Sequence, residues 1–287
     1  MDIEIREFIT YLHNRKRTSH NTEVSYQRDL KKMAVYFADR GIYDIRDVGE
    51  LELEGYLSYM ERGQFASSTI SRNVASIRAL FQYLYQENRI ERDPSLELKP
   101  PKVEKRMPEI LTVDEVDRLL KQPDLNTPKG IRDSAMLELL YATGMRVSEL
   151  LKIRAEHVKA GMMDLYSKGG KMRRIYFPTA LCEEAQDWLK KREITSGCIF
   201  TGRNGHVITA RGVHFQLKVL AKRYKIPSEQ VYPHSFRHRF AKNFLAKFND
   251  ISLLADLMGH ESIETTRIYL TRSSEEQQKL IDRLVKW

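Results

Sequence analysis

Two short stretches near the end of the chain carry side chains able to handle a phosphate. One reads His234-Ser235-Phe236-Arg237-His238, and the other runs from Gly259-His260 to Tyr269. A third stretch, Thr143-Gly144-Met145-Arg146, lies far upstream. Arg146 and Arg237 both stand beside apolar residues at helical spacing. An arginine so placed is costly unless it meets an anion, and its planar fork matches phosphate oxygens. Two such arginines, a tyrosine and no metal signature point to phosphoryl transfer onto the tyrosine. His234 and Arg237 are three apart and share one helix face. His234 and His238 are four apart, a spacing compatible with a metal, yet no third ligand and no His-Glu-x-x-His pattern accompanies them, so zinc is not expected. A lone tyrosine among apolar neighbours is most often core, and Tyr141 and Tyr232 compete with Tyr269 for the role.

The elements that must position these groups occupy residues 109–287. Pro233 opens a helix anchored by Phe236, Phe240, Phe244 and Leu245. Leu253, Leu254, Leu257 and Met258 lead to Gly259, a C-cap glycine, so that His260 begins a new turn and Tyr269 falls on a following short helix. An apolar helix, Ala135 to Tyr141, ends at Thr143-Gly144, and Arg146 starts the next helix, held by Val147, Leu150 and Leu151. Arg146 could also pair with Glu149 or Asp133 in a structural ion pair; Glu149 could do this while holding Arg146 in position. Thr112-Val113-Asp114-Glu115 reads as a capping box. Met162–Tyr166 and 173–178 are β-prone runs around Ser167-Lys168-Gly169-Gly170-Lys171, a hairpin whose tip lysine is by default solvated. Residues 180–193 and 211–224 read as helices. The second has Val213, Phe215, Leu217, Val219 and Leu220 as core candidates and a basic side, Lys218, Lys222 and Arg223.

Residues 1–95 read as an all-helical bundle of four or five helices, each with one apolar stripe. Hydroxyl-rich openings, Thr18-Ser19-His20-Asn21-Thr22 and Ser67-Ser68-Thr69, suit phosphate contact, though N-capping alone is the commoner use of such residues. Arg72 and Arg78 either reach a duplex or are simply solvated. Residues 96–108, with Pro100, Pro101, Pro108, Lys99, Lys102, Lys105 and Arg106, read as a basic proline-rich linker.

Charge is unevenly placed along this plan. Residues 1–100 carry 15 Lys+Arg against 16 Asp+Glu, whereas residues 101–287 carry 33 against 23. The whole excess of the net +9 therefore sits in the second part. An anionic partner requires that, and a solvated basic surface explains it equally well. No apolar run approaches the ~20 residues of a membrane span, and the acidic N-terminus is unlike a signal peptide. Cys182 and Cys198, without a Cys-x-x-Cys or Cys/His cluster, read as reduced thiols of a cytoplasmic protein.

In their order and separation, Arg146, Lys168, His234-x-x-Arg237, Gly259-His260 and Tyr269 resemble the tyrosine recombinase (lambda-integrase) family, and its Xer branch in particular. The resemblance covers nearly the whole chain. Two departures are visible: Ser167 stands where the family has the first glycine of Gly-Lys-Gly, and Phe236 replaces the leucine of His-x-Leu-Arg-His. The resemblance implies a mainly α fold with a small β-sheet, in which an N-terminal helical core-binding domain is followed by an α+β catalytic domain. It implies cleavage and rejoining of double-stranded DNA through a 3′-phosphotyrosyl intermediate on Tyr269. Arg146 and Arg237 would hold the phosphate, His234 would act as acid/base, Lys168 would protonate the 5′-oxygen, and His260 would bond a phosphate oxygen. Lys171 is a near neighbour of the implied lysine. No cofactor or metal is expected, since the covalent bond conserves the phosphodiester energy and the chain has no Gly-x-x-x-x-Gly-Lys-Ser/Thr.

The partner would be DNA gripped by a homo-tetramer on two sites. The amphipathic tail, Leu280, Ile281, Leu284 and Val285 within 273–287, would either pass to the next protomer or dock on its own domain. The implied task is chromosome-dimer resolution at a dif-like site. A mobile-element integrase, a type IB topoisomerase-like relaxing enzyme and a sequence-specific DNA binder with an idle site remain alternatives.

Overall fold

Apolar residues recurring at steps of three and four shape every long helix of the first part. They bury Ile5, Phe8 and Leu12 in α1 (Asp2–Asn14) and Leu30, Met33 and Phe37 in α2 (His20–Ala38). Leu53, Tyr56 and Met60 of α3 (Glu50–Arg62) and Ile70, Val74, Ile77, Phe81 and Leu84 of α4 (Ser67–Gln86) complete the core. The computed structural model describes residues 1–102, 110–121, 123–166, 172–191, 196–202, 204–260 and 262–270. The expected Lys168 and Lys171, and the tail 273–287, lie outside the described residues.

Two expectations for this part are revised. Arg72 faces inward: its Nε and Nη2 donate to the two carboxylate oxygens of Asp29 at 2.6 and 2.8 Å, and Asp29 is only 1% exposed. A carboxylate that deep must be paired, so Arg72 is committed to the fold. The segment after α4 is also packed with the helices, because Leu98 is buried among them and Asp93 accepts hydrogen bonds from the backbone and hydroxyl of Ser95. The chain divides into compact units at Arg106/Met107, so residues 96–102 of the expected linker go with the first unit, while residues 103–108 of it lie outside the described residues. Of the hydroxyl-rich openings, Ser19 caps α2 by accepting the Thr22 N–H, whereas α4 starts after Ala66 with no side-chain cap.

The second unit begins with α5 (Val113–Leu120), where Thr112 and Glu115 form the expected reciprocal capping box. Then follow α6 (Pro128–Thr143), α7 (Val147–Leu150), α8 (Ala155–Ala160), β1 (Met162–Tyr166), β2 (Met172–Tyr176), α9 (Thr179–Lys191), α10 (Ala210–Arg223), α11 (Pro233–Phe248), α12 (Ile251–Met258) and α13 (Glu264–Arg267). A 3-10 turn, Ile268–Leu270, carries Tyr269. The two strands pair antiparallel, with Met163 opposite Ile175 and Leu165 opposite Arg173. Strand alternation puts Arg173 on the face of buried Ile175 and sends Arg174 to the other face, where it pairs with Asp164 at 2.7 and 2.9 Å. The fold is therefore mainly helical with a small two-stranded sheet.

The main core of this unit gathers Leu139, Leu140, Met145, Leu150, Ile153, Phe200 and Phe236, with α11 packed along α6. A smaller, separate apolar cluster joins Ala241, Leu245, Leu254, Met258 and Tyr269. In α10, Val213, Leu217 and Leu220 face inward as expected, but Phe215 and Val219 are exposed at 62% and 41% and share the outer surface with Lys218 and Lys222. The blurred stripe of that helix is thus two stripes, one apolar and buried, the other aromatic and basic. Among the described residues, no helix is long and apolar enough to cross a membrane.

Candidate active site

Two left-handed glycine turns build the site. Gly144, at φ +60°, ends α6, and Gly259, at φ +62°, ends α12. Neither tolerates a side chain: a Cβ on Gly144 would lie 2.5 Å from the Phe240 ring, and one on Gly259 would lie 2.6 Å from an Arg173 nitrogen. Each turn aims backbone carbonyls at guanidinium groups. Arg237, which is 4% exposed, donates from Nη1 to the Gly144 carbonyl and from Nη2 to the Met258 carbonyl, both at 2.7 Å. Arg146, half-buried at the N-terminus of α7, donates from Nη2 to the Gly259 carbonyl at 3.3 Å. Two arginines widely separated in sequence therefore meet at one turn.

Glu149 ties this pair to a third arginine. Its carboxylate accepts the Arg146 N–H at 2.7 Å, Arg146 Nη1 at 2.9 Å and Arg173 Nη2 at 2.9 Å, while Arg173 Nη1 also donates to the Met258 carbonyl. Burial pushes the Glu149 carboxyl up, but the Arg146 backbone N–H and the charges of Arg173 and Arg146 outweigh it and hold the group below the usual carboxylate range. A carboxyl whose pKa falls on folding contributes stability above its ordinary pKa and loses it as pH drops through the folded value. Glu149→Ala is accordingly expected to cost about 3 kcal/mol at pH 7, the scale for removing one partner of a desolvated pair. Thermal unfolding checks this: the gap from the parent protein should close as pH falls below the carboxylate range, and a pH-independent gap would refute it.

Arg237 also donates to His260 Nε2, 2.9 Å away, while His260 Nδ1 lies 2.7 Å from Thr266 Oγ1. A guanidinium has no lone pair to give, so Nε2 is the acceptor and a neutral His260 carries its hydrogen on Nδ1, facing Thr266. Desolvation, then the charges of Arg237, Arg146 and Arg173, bring the imidazole down to about 4, which keeps it neutral at pH 7. Burial and the same neighbouring arginines lower Arg237 itself to about 10, still charged at neutral pH. His234 is exposed at the rim of α11, and its pKa is lowered by partial desolvation and by Arg237 and Arg146. Tyr269 is 8% exposed, and burial raises its phenol above the ordinary value. Its oxygen lies 2.8 Å from His238 Nδ1.

The structure thus links Arg146, Arg237 and His260 directly and seats Tyr269 against the helix that carries His234 and Arg237. Tyr141 Oη receives the Asn243 side-chain N–H at 3.1 Å, and Tyr232 stands at the N-cap of α11, where its backbone, not its phenol, bonds to Ser235. Asp133 pairs with Arg132 and Lys129, leaving Glu149 as the partner of Arg146. Sequence reasoning missed Arg173, Thr266 and the contact of His238 with Tyr269. The alternation of β2 around Ile175 could have flagged Arg173.

Comparison with known proteins shows the family. Residues 109–276 match the model of the phage integrase family, and residues 5–88 match the phage integrase N-terminal SAM-like domain. The chain belongs to the tyrosine recombinase (lambda-integrase) family and is of the Xer type. It is 34% identical over 273 residues to tyrosine recombinase XerD of Shewanella oneidensis, covering 92% of this chain and 90% of that one. In fold it is similar to XerH site-specific recombinase bound to palindromic difH substrate in a post-cleavage complex (TM-score 0.73, 21% identity, 91% of this chain and 78% of that chain). It is similar also to the Tn1549 transposon integrase in complex with transposon right end DNA (TM-score 0.75, 20% identity, 98% and 99%). The recombinase is therefore an enzyme that cuts and rejoins DNA through a phosphotyrosyl intermediate. In the cluster described above, Arg146 and Arg173 share the Glu149 carboxylate and Arg237 shares the Met258 carbonyl with Arg173, so three guanidinium groups and one carboxylate leave it with net positive charge.

Proposed function

We propose that this recombinase exchanges strands between two copies of a dif-like DNA site, acting as a tetramer in the cytoplasm and resolving chromosome dimers. The observation that carries the site assignment is the convergence of Arg146 and Arg237 on the Met258–Gly259 turn, with Tyr269 on the adjoining 3-10 turn. In this reading the two guanidiniums hold the non-bridging oxygens of one phosphodiester and stabilise the charge of its five-coordinate transition state. The Tyr269 oxygen bonds to phosphorus and the P–O5′ bond breaks, leaving a 3′-phosphotyrosine and a 5′-hydroxyl. By family resemblance Lys168 protonates the departing 5′-oxygen, His234 is the acid/base that helps deprotonate the phenol, and His260 bonds a phosphate oxygen. Attack by the 5′-hydroxyl of a partner duplex then reverses the chemistry on a new strand.

The dif-like target is supported by the identity with XerD proteins and the fold shared with XerH, whose substrate is difH. The exposed Phe215, Lys218 and Lys222 face of α10 supplies a candidate DNA-contacting surface. The test is to select a binding site from random-sequence DNA, place two copies on one plasmid, and incubate with protein alone. Recombinant circles are the expected product. Relaxed plasmid without exchange between sites would overturn the proposal in favour of a relaxing enzyme.

A further inference from the structure

Tyr269 is almost wholly buried, and among the described residues its hydroxyl has one hydrogen-bond partner, Nδ1 of His238 at 2.8 Å. The two rings lie 5.5 Å apart at 50°, so His238 packs against the phenol as well as bonding to it. Counting hydrogens gives the direction of the bond. Were Nδ1 the donor, the phenolic hydrogen would be buried without an acceptor, at a cost of about 1–3 kcal/mol. The O–H therefore donates, and the imidazole carries its hydrogen on Nε2. His234, one turn earlier at the exposed rim, makes no hydrogen bond to the phenol.

The geometry points to His238 as the group that seats the Tyr269 phenol and takes its proton when the tyrosine attacks DNA. This rests on the reading of Tyr269 as nucleophile and moves the phenol's proton from His234, the acid/base that family resemblance implies, to His238. As the O–P bond forms and P–O5′ breaks, the phenolic proton passes to His238 Nδ1, giving an imidazolium. A separate donor, Lys168 in the assignment above, protonates the 5′-oxygen. On rejoining, the partner 5′-hydroxyl attacks phosphorus, the P–O bond to tyrosine breaks, and His238 returns its proton to the phenolate.

The imidazole is neutral, with the Nδ1 lone pair turned to the phenol, and in the resting site it is a weak base. Desolvation, then His234 and Arg237 on its own helix, hold it at about 4, and Tyr269 is the titratable group facing it from the 3-10 turn. The anionic phosphate that Arg237 grips supplies the compensating charge for an imidazolium at that position. Positioned proton acceptors contribute roughly 100- to 10,000-fold to rate.

The test measures covalent adduct formation on the selected DNA site, nicked beside the scissile phosphate so that the cut strand cannot return. His238→Ala and His238→Gln are compared with the parent protein, each first checked for DNA affinity by gel shift. Both variants should bind DNA with unchanged affinity and form adduct at least about 100-fold more slowly. Glutamine retains an acceptor for the hydroxyl, so its failure to restore the rate separates proton uptake from seating. A DNA with sulfur at the bridging 5′ position, whose thiolate leaves without a proton, should rescue Lys168→Ala and not the His238 variants. Rates within threefold of the parent, or rescue of the His238 variants by the sulfur substrate, would overturn the inference. Tyr269→Phe run alongside keeps the two readings apart: an adduct with that variant would remove the nucleophile assignment itself.

Discussion

Tyr269→Phe will bind its DNA site with parental affinity and form no covalent adduct. The substitution keeps the ring that fills the cluster of Ala241, Leu245, Leu254 and Met258, so packing is conserved. It removes one oxygen, and with it the only bond the phenol makes among the described residues, to His238. Loss of that neutral bond should lower stability by about 1 kcal/mol, too little to unfold a domain. Without the oxygen there is nothing to bond phosphorus, and the adduct should vanish from a denaturing gel under conditions where the parent converts most of the substrate. An adduct persisting in this variant would move the nucleophile to another residue.

Arg237→Ala should cut adduct formation by roughly 100- to 1,000-fold, since removing one preorganised donor from a charge-stabilising site costs roughly 3–4 kcal/mol of barrier. It should also lower stability, because the Gly144 and Met258 carbonyls lose a buried donor, at about 1–3 kcal/mol each. Arg237→Lys is the sharper variant. A lysine keeps the charge but is a single point donor, whereas the guanidinium spans two carbonyls 2.7 Å away and still presents N–H groups to a ligand. Lysine is expected to recover most of the stability and little of the rate. Single-turnover cleavage beside thermal melting decides it, and a lysine variant at near-parental rate would show that charge alone suffices.

Much of this site could be read before any coordinates because its parts follow local rules. Gly144 and Gly259 mark helix ends from sequence alone, and three-residue spacing puts His234 and Arg237 on one face. Glu149 stands three residues after Arg146, the spacing of a helix-opening contact, so its grip on that arginine was visible as well. What stayed hidden depends on pairing across the chain. Arg72 gave no sign of being structural, because its partner Asp29 lies on another helix and neither residue looks apolar. Arg173 is one of two adjacent arginines in a basic run, and only strand register decides which turns inward. The bond from Tyr269 to His238 required knowing how a 3-10 turn returns to α11. In α10 the period was there, but Phe215 and Val219 were assigned by hydrophobicity when position on the helix overrode it.

The way Tyr269 is attached ties its position to that of the arginines. Tyr269 packs with Ala241, Leu245, Leu254 and Met258 in a small buried patch that is separate from the main core of its unit. Small patches of this kind come apart at a fraction of the free energy of whole-domain unfolding. Met258 belongs to both parts, since its side chain lies in the patch and its carbonyl accepts from Arg237 and Arg173, so loosening the patch loosens the arginine cradle with it. The seat of Tyr269 and the grip of the arginines therefore rest on the same short turn.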